Sequence, residues 1–171
     1  MSEEARLGPA KPGPETEAIK KFFPDGAKVT WTGTVKEGGM GPGSPEMEAK
    51  GKGTVKWIMN GLWAVLDCEQ DQFVAGNKVL TWKAHFVVGW DFWAKAYRAV
   101  VADSNGSTAR FNCEIDGDKL IMIADAILMG QPAKLRIIQD HTNPQAVVWK
   151  NEFSVKNGPW MLIEEYKVKQ E

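Results

Sequence analysis

The strongest constraint on the fold is a succession of β-type segments that runs through most of the chain. In AKVTWTGTVK, Val29, Trp31 and Val35 alternate with threonines, which is the two-residue period of a strand with one buried face. Nine further runs rich in β-branched and aromatic residues follow, from GTVKWIM to WMLIEEYKVK. Dipeptides that tolerate positive φ, and so favour tight hairpins, separate several of these runs. They are Gly76-Asn77, Asn105-Gly106, Asp116-Gly117 and Asn157-Gly158.

About ten strands joined by short hairpins predict an antiparallel meander, and closing the meander into a barrel removes its two exposed edges. We therefore expect an all-β, antiparallel up-and-down barrel of about 8–10 strands; a two-sheet sandwich is the competing fold. One short helix should precede it in PETEAIKKFF, where Pro14 suits the first helical position and Ile19 and Phe22 share a side. Residues 1–13 are predicted to be a flexible tail, and 14–171 a single barrel domain.

Composition argues against several classes of function. The chain has 21 basic and 22 acidic residues among 171, and this balance gives no reason to expect a nucleic-acid partner. No run approaches the roughly 20 apolar residues of a membrane span, and the N-terminus lacks the pattern of a signal peptide. We expect a cytoplasmic protein with no membrane partner. Cys68 and Cys113 do not form a disulfide framework, although the two could pair.

The glycine-rich stretch GGMGPGSPEM, residues 38–47, raises the question of a phosphate-binding loop. Such a loop of the P-loop type needs a Gly-Lys-Ser/Thr end followed by a helix, whereas Gly51-Lys52 is followed by Gly53 and a strand-like run. We interpret residues 38–47 as a mobile connection between the first two strands. It is either an ordinary hairpin loop or, at the mouth of a barrel, a lid.

The eight tryptophans suggest either a dense aromatic core or a ligand cavity. Alternation, with charged side chains placed outward, assigns a set of residues to the interior. Those chosen as ligand-binding candidates are Trp31, Trp82, Phe86, Phe111, Trp149 and Asn151. The same reasoning sends Trp160, Leu162, Glu164 and Tyr166 inward in the last strand.

Two strands stay ambiguous. Trp63 shares a face with Asp67 and Glu69 in GLWAVLDCEQ, and Tyr97 and Arg98 point in opposite directions in KAYRAVVA. We keep Trp63, Tyr97 and Arg98 among the ligand-binding candidates, with the face of each strand left open.

The order of several motifs resembles a family of uncharacterised bacterial lipocalin-like proteins. They are MGPGSPE, NGLWAVLDCE, VVGWDFWAKAYRAVV, EIDGDKLIM and the closing WMLIEEYKVK, within about residues 15 to 169. The chain departs from that pattern at Asn60, where glycine is usual, and at Trp90, where tyrosine is usual. The resemblance implies a calycin-like barrel with a cavity and implies no particular reaction. The predicted fold is therefore a lipocalin-like barrel.

We weigh three functions. The first is a protein that binds one small, largely apolar or aromatic molecule in the barrel cavity. The second is a cofactor-independent isomerase, cyclase or lyase in which Glu164 and Tyr166 are the catalytic candidates, because a carboxyl in an apolar cavity must either be paired or have a raised pKa. The alternative for Glu164 is a structural one, in which it bonds Tyr97, Tyr166 or Arg98 and only satisfies the core. The third is a filled barrel whose outer face binds a partner. We expect no metal site, since His85 and His141 show no ligand spacing, and no cofactor; the chain could form a homodimer.

Overall fold

The computed structural model describes residues 9–128 and 130–171, so the greater part of the predicted tail lies outside the described residues. One short helix and ten strands follow in chain order. The helix is α1 (Pro14–Lys20); the strands are β1 (Lys28–Val35), β2 (Met47–Ile58), β3 (Trp63–Val74), β4 (Asn77–Asp91), β5 (Ala96–Asp103), β6 (Thr108–Asp116), β7 (Lys119–Leu128), β8 (Gln131–Asp140), β9 (Val147–Val155) and β10 (Met161–Gln170).

The ten strands form a closed antiparallel barrel in which each strand pairs with its neighbours in the chain. The first and last strands close the ring, with Trp31 opposite Val168 and Gly33 opposite Tyr166. The predicted up-and-down barrel with one short helix in front is confirmed. Closure leaves each of the ten described strands with two partners, which removes the edges that could pair with another chain.

Alternation along the strands separates the interior from the outer surface. In β2, Met47, Ala49 and Val55 are buried, whereas Glu48 and Lys50 are exposed. Side chains of successive residues point to opposite faces, so each strand contributes about half of its residues to the barrel interior.

The N-terminal segment closes one end of the barrel. Phe22 and Phe23, just after α1, are 1% and 2% exposed, and they lie among the interior residues. Trp57, near the end of β2, donates its indole N–H to the carbonyl oxygen of Phe23 at 2.7 Å. Tyr97, at the start of β5, donates its hydroxyl to the carbonyl oxygen of Glu15 at 3.0 Å. Within the described part of the chain, no helix is long and apolar enough to cross a membrane.

A β-bulge near the start of β10 changes the expected alternation. The register of β10 against β9 shifts between Leu162 and Glu164, because Ile163 has no residue opposite it. Ile163 is 9% exposed and Leu162 is 37% exposed. The prediction that Leu162 points inward is therefore wrong, since an extra residue reverses the alternation on one side of a bulge.

Trp160, which precedes the bulge, was also expected inside the barrel. The centroid of its ring lies 4.1 Å from the guanidinium carbon of Arg136. The Nε atom of Arg136 is paired with a carboxylate oxygen of Glu152 at 2.5 Å. Glu152 shares the outer face of β9 with Lys150, so Trp160 packs on the outside, where an arginine covers its face.

Trp31 and Gly51 approach each other directly across the β1–β2 pair. A Cβ atom added at Gly51 would lie 1.9 Å from the Trp31 ring, which is far inside any van der Waals contact. The glycine is needed here because the indole lies across the neighbouring backbone, and this arrangement places a large ring against the interior wall.

Candidate functional site

The barrel encloses a cavity of about 560 Å³. Phe23 lines it near the end closed by the N-terminal segment. At the other end it is lined by Gly39, Met40 and Gly41 of the β1–β2 connection and by Asn105 and Ser107 of the β5–β6 turn. The glycine-rich stretch of residues 38–47 thus lies at the cavity mouth, in the connection from β1 to β2. It is followed by a strand, whereas a P-loop is followed by a helix.

Aromatic rings make up much of the cavity wall. The predicted residues that line it are Trp31, Trp82, Phe86, Phe111 and Trp149, and Phe153 joins them. The rings of Trp31 and Trp149 have centroids 5.5 Å apart at an angle of 44°. Trp82, Phe86 and Trp149 point into the barrel yet keep some accessible surface, because the space beside them is hollow.

A chain of three hydrogen-bonded side chains crosses one side of this wall. Trp31 donates its indole N–H to the side-chain oxygen of Gln70 at 2.7 Å. The amide nitrogen of Gln70 lies 3.1 Å from the hydroxyl oxygen of Tyr166 and donates to it. All three side chains are buried, and burial raises the pKa of Tyr166, with a further increase from the nearby Glu164 carboxyl. Tyr166 is therefore a neutral phenol that keeps its proton.

Glu164 lies beside this chain on the same strand. It sits opposite Asn151 in the β9–β10 register, and the Asn151 amide donates a hydrogen bond to the Glu164 carboxyl. Burial raises the pKa of Glu164, while hydrogen bonds from Asn151 and Tyr166 act in the opposite direction. Protein atoms surround this carboxyl, but the side chain keeps some accessible surface because it faces the hollow interior.

Three buried polar atoms of the cavity wall have no hydrogen-bond partner among the described residues. They are the side-chain oxygens of Gln72 and Gln139 and the indole nitrogen of Trp149. Gln72 is 2% exposed and Gln139 is 3% exposed. A buried polar group without a partner costs about 1–3 kcal/mol, so these three atoms are the least satisfied polar groups of the wall.

The candidates chosen from the sequence do not include the glutamines of the site. Gln70 and Gln72 lie on β3, the strand whose face alternation alone left open. The structure places Leu66 and Cys68 inside, and the two glutamines follow at the same spacing. Continuing the Leu66–Cys68 alternation by two and four residues would have found them.

Two ligand-binding candidates, on strands whose inward face the sequence left open, lie outside the cavity, so their inclusion in the site is corrected. Trp63 is on the outer face of β3, and its ring covers Gly89 of the neighbouring strand. Arg98 is on the outer face of β5, where it donates a hydrogen bond to Asn112. Both placements follow from alternation, because Ala64 and Ala99 occupy the interior positions of these strands. In addition, the charged guanidinium of Arg98 stays hydrated on the outer face.

Tyr97 packs against the interior residues, but it does not line the cavity. It lies under the N-terminal segment, and its hydroxyl is held by the Glu15 carbonyl oxygen. The structure thus brings Glu164, Tyr166 and Asn151 together with five of the predicted aromatic residues, and separates them from Trp63, Tyr97 and Arg98.

The cysteines and histidines do not form a metal-binding cluster within the described part of the chain. Cys68 and Cys113 are free, and burial raises the pKa of each thiol to about 12. Among residues 9–128 and 130–171, no group of three or more His, Cys, Asp or Glu side chains could hold a metal ion. His85 is exposed, as expected, and pairs with Asp67 at 2.6 Å.

A larger groove of about 720 Å³ lies against strands β1 to β5. Charged side chains along it form exposed pairs, such as Lys83 with Glu69 at 3.3 Å and His85 with Asp67. The glutamines that line the interior cavity, by contrast, are buried.

Comparison with known proteins supports the fold but shows no family and no activity. No protein-family model matches the chain, and no curated protein matches it. The chain is similar to the solved structure of Rv2717c from M. tuberculosis, with a TM-score of 0.59 and 9% identity over 93% of this chain and 98% of that chain.

A second solved structure, the S-type phycobiliprotein lyase CPES from Guillardia theta, gives a TM-score of 0.48 and 11% identity over 93% of this chain and 97% of that chain. The first likeness shows the fold alone, and the second is too distant to add to it. Membership of the uncharacterised bacterial family stays a prediction. The chain folds as a lipocalin-like β-barrel.

Proposed function

We propose that the protein binds one small, largely apolar or aromatic molecule inside the barrel. The observation that carries this proposal is the cavity of about 560 Å³, whose wall combines aromatic rings with a few buried polar groups. A well-packed domain has few voids larger than a water molecule, so a hollow of this size is a feature that a ligand explains.

The arrangement of the wall supports a ligand with one apolar body and one polar end. Trp82, Phe86 and Trp149 keep accessible surface in the hollow and offer flat faces for stacking. Glu164 and Tyr166 lie together on one strand and offer hydrogen bonds at one side of the cavity. The loop that contains Met40 lies at the mouth, where a molecule would enter.

Two measurements test binding. Protein purified under native conditions is denatured, and the released small molecules are identified by mass spectrometry. In parallel, N-phenyl-1-naphthylamine, a neutral aromatic probe, is titrated by calorimetry. We expect one released compound per chain or one probe site per chain.

A pair of variants tests where the molecule binds. Val101 lines the cavity, whereas Val100 is its neighbour on the outer face and is 43% exposed. Val101→Phe should reduce probe affinity at least about tenfold, since added carbons occupy cavity space, while Val100→Phe should leave it unchanged. Equal affinity in both variants, with both folded by circular dichroism, would place any bound probe outside the barrel and overturn the proposal.

A second candidate function rests on the Glu164 carboxyl. Burial holds its pKa above the ordinary range, and Tyr166 interacts with it, which is the arrangement of an acid–base pair in a water-poor site. A cofactor-independent isomerase, cyclase or lyase could use it. Once a ligand is known, Glu164→Gln should abolish turnover and retain most of the affinity if the protein is an enzyme; no turnover in the unaltered protein leaves binding as the function.

A further inference from the structure

The cavity has an uneven set of charged groups. The residues that line it include Glu164, which lies opposite Val35 at the end of β1, and Asp103 at the end of β5, near the mouth. Asp125 also lies at the rim, but it is paired with Lys134 at 3.3 Å and faces outward. Among the described residues that line the cavity, none is lysine, arginine or histidine. An anionic ligand would meet no compensating positive charge in this interior.

The unpaired polar atoms of the wall are mostly acceptors. The side-chain oxygens of Gln72 and Gln139 lack donors, and both side chains are more than nine-tenths buried. The one unpaired donor, Trp149 Nε1, is on the residue directly opposite Gln139, so rotation of the Gln139 amide could supply its acceptor. With that rotation, Gln72 is the one glutamine among the described residues of the wall whose side-chain oxygen lacks a donor.

The rings around Glu164 suit a positive charge. Tyr166 is two residues from Glu164 on the same face, and it sits opposite Trp149 in the next strand. The Trp31 ring lies beside Trp149 on the other side, with 5.5 Å between centroids. Aromatic faces attract cations electrostatically, and the attraction is strongest where water is excluded.

We infer that the ligand is an aromatic or apolar organic amine, bound as its ammonium ion with the charge against Glu164 and the ring against the aromatic side chains that keep accessible surface in the hollow, Trp82, Phe86 and Trp149. This inference rests on the proposed function and names the chemical class of its ligand. Glu164 supplies the counter-ion, and the aromatic rings hold the apolar body.

Binding of such a cation is linked to a proton. The titratable groups that line the cavity are Glu164, Tyr166, Cys68, Asp103 and Asp125; burial keeps the phenol and the thiol protonated. In the empty cavity burial favours the neutral Glu164 carboxyl. When an ammonium ion binds, the carboxyl ionises and one proton passes to the buffer, so that the bound pair is a carboxylate and an ammonium.

The test uses three molecules that share one ring system: 2-naphthylmethylammonium, 2-naphthylmethanol and 2-naphthoate, which are a cation, a neutral molecule and an anion. Each is titrated into the full chain by calorimetry at a pH below the raised pKa, in two buffers of different ionisation enthalpy. We expect the ammonium to bind at least about tenfold more tightly than the alcohol, with release of up to one proton, and the carboxylate to bind most weakly.

Glu164→Gln and Glu165→Gln form a matched pair, since Glu165 is the next residue and faces outward toward Lys150 at 3.1 Å. Glu164→Gln should remove the preference for the cation and the proton release. Glu165→Gln should leave both unchanged. Affinity for the alcohol or the carboxylate equal to that for the ammonium, in folded protein, would overturn the inference.

The results also separate this inference from the proposed function. If the naphthyl series binds without preference for the cation, or the compound released on denaturation lacks a basic nitrogen, the amine class is wrong and the cavity still binds a ligand. If none of the three binds and no compound is released, both the amine class and the proposed function are wrong.

Discussion

Trp31 and Gln70 are joined inside the barrel by a hydrogen bond of 2.7 Å from the indole nitrogen to the amide oxygen. The two residues lie on β1 and β3, on either side of β2, so this bond spans the glycine-containing part of β2. It fixes the position of the ring that faces the cavity, and Gln70 in turn donates to Tyr166.

Replacement of Gln70 by leucine should lower the free energy of unfolding by about 1–3 kcal/mol, because the buried Trp31 N–H loses its acceptor. Urea unfolding measures the change. Gln72→Leu is the control: its side-chain oxygen already lacks a partner, so its loss should cost less than Gln70→Leu. Equal costs for the two variants would show that the Trp31–Gln70 bond contributes nothing specific.

The closed end of the barrel depends on Phe22, which is 1% exposed. Phe22→Ala should reduce the free energy of unfolding by about 3–5 kcal/mol, the usual cost of removing a buried phenyl ring. Trp93→Ala, at a residue 99% exposed in the β4–β5 turn, should change it by no more than about 0.5 kcal/mol. Denaturant unfolding of both variants checks the contrast, and a small loss for Phe22→Ala would mean that the N-terminal segment is not part of the folded unit.

Gly51→Ala should disturb the Trp31 ring, since the added methyl group would overlap it. We expect a loss of about 1–3 kcal/mol and a change in the near-ultraviolet circular dichroism of the tryptophans. In Gly53→Ala the added methyl group would meet its nearest neighbour at 2.9 Å, so the loss should be smaller. A larger loss for Gly53→Ala would contradict the close contact described for Trp31 and Gly51.

Stability should depend on pH through Glu164. Its pKa is raised in the folded protein, so the native state binds this proton more tightly than the unfolded chain does. The free energy of unfolding therefore falls as pH rises from the ordinary carboxyl pKa through the raised one, by roughly 1.4 kcal/mol for each unit of difference. Above the raised pKa this contribution is constant.

Thermal unfolding across this pH range checks the sign. Glu164→Gln should lack the decrease and become more stable than the unaltered protein as pH rises, whereas Glu165→Gln should keep the decrease. A stability curve for Glu164→Gln that runs parallel to that of the unaltered protein would show that Glu164 is ionised in the empty cavity.

The faces of several strands could be predicted because charged residues mark the outer surface at every second position. In β9, Lys150 and Glu152 point outward, and this places Trp149 and Asn151 in the cavity wall. In β3 the pattern was insufficient, since polar residues occur on both faces and the inward ones are the uncharged Gln70 and Gln72.

The strand period, the hairpin positions and the order of the ten strands were determined by the sequence itself, because alternation and turn chemistry are local properties of the chain. Tertiary structure decided the rest: the bulge at Ile163, the closure of one end by Phe22 and Phe23, and the meeting of Glu164 with Asn151 inside a hollow barrel. These features depend on contacts between residues far apart in the chain, and on whether the enclosed volume exceeds that of the side chains within it. Neither these long-range contacts nor the enclosed volume is determined by the sequence of any single strand.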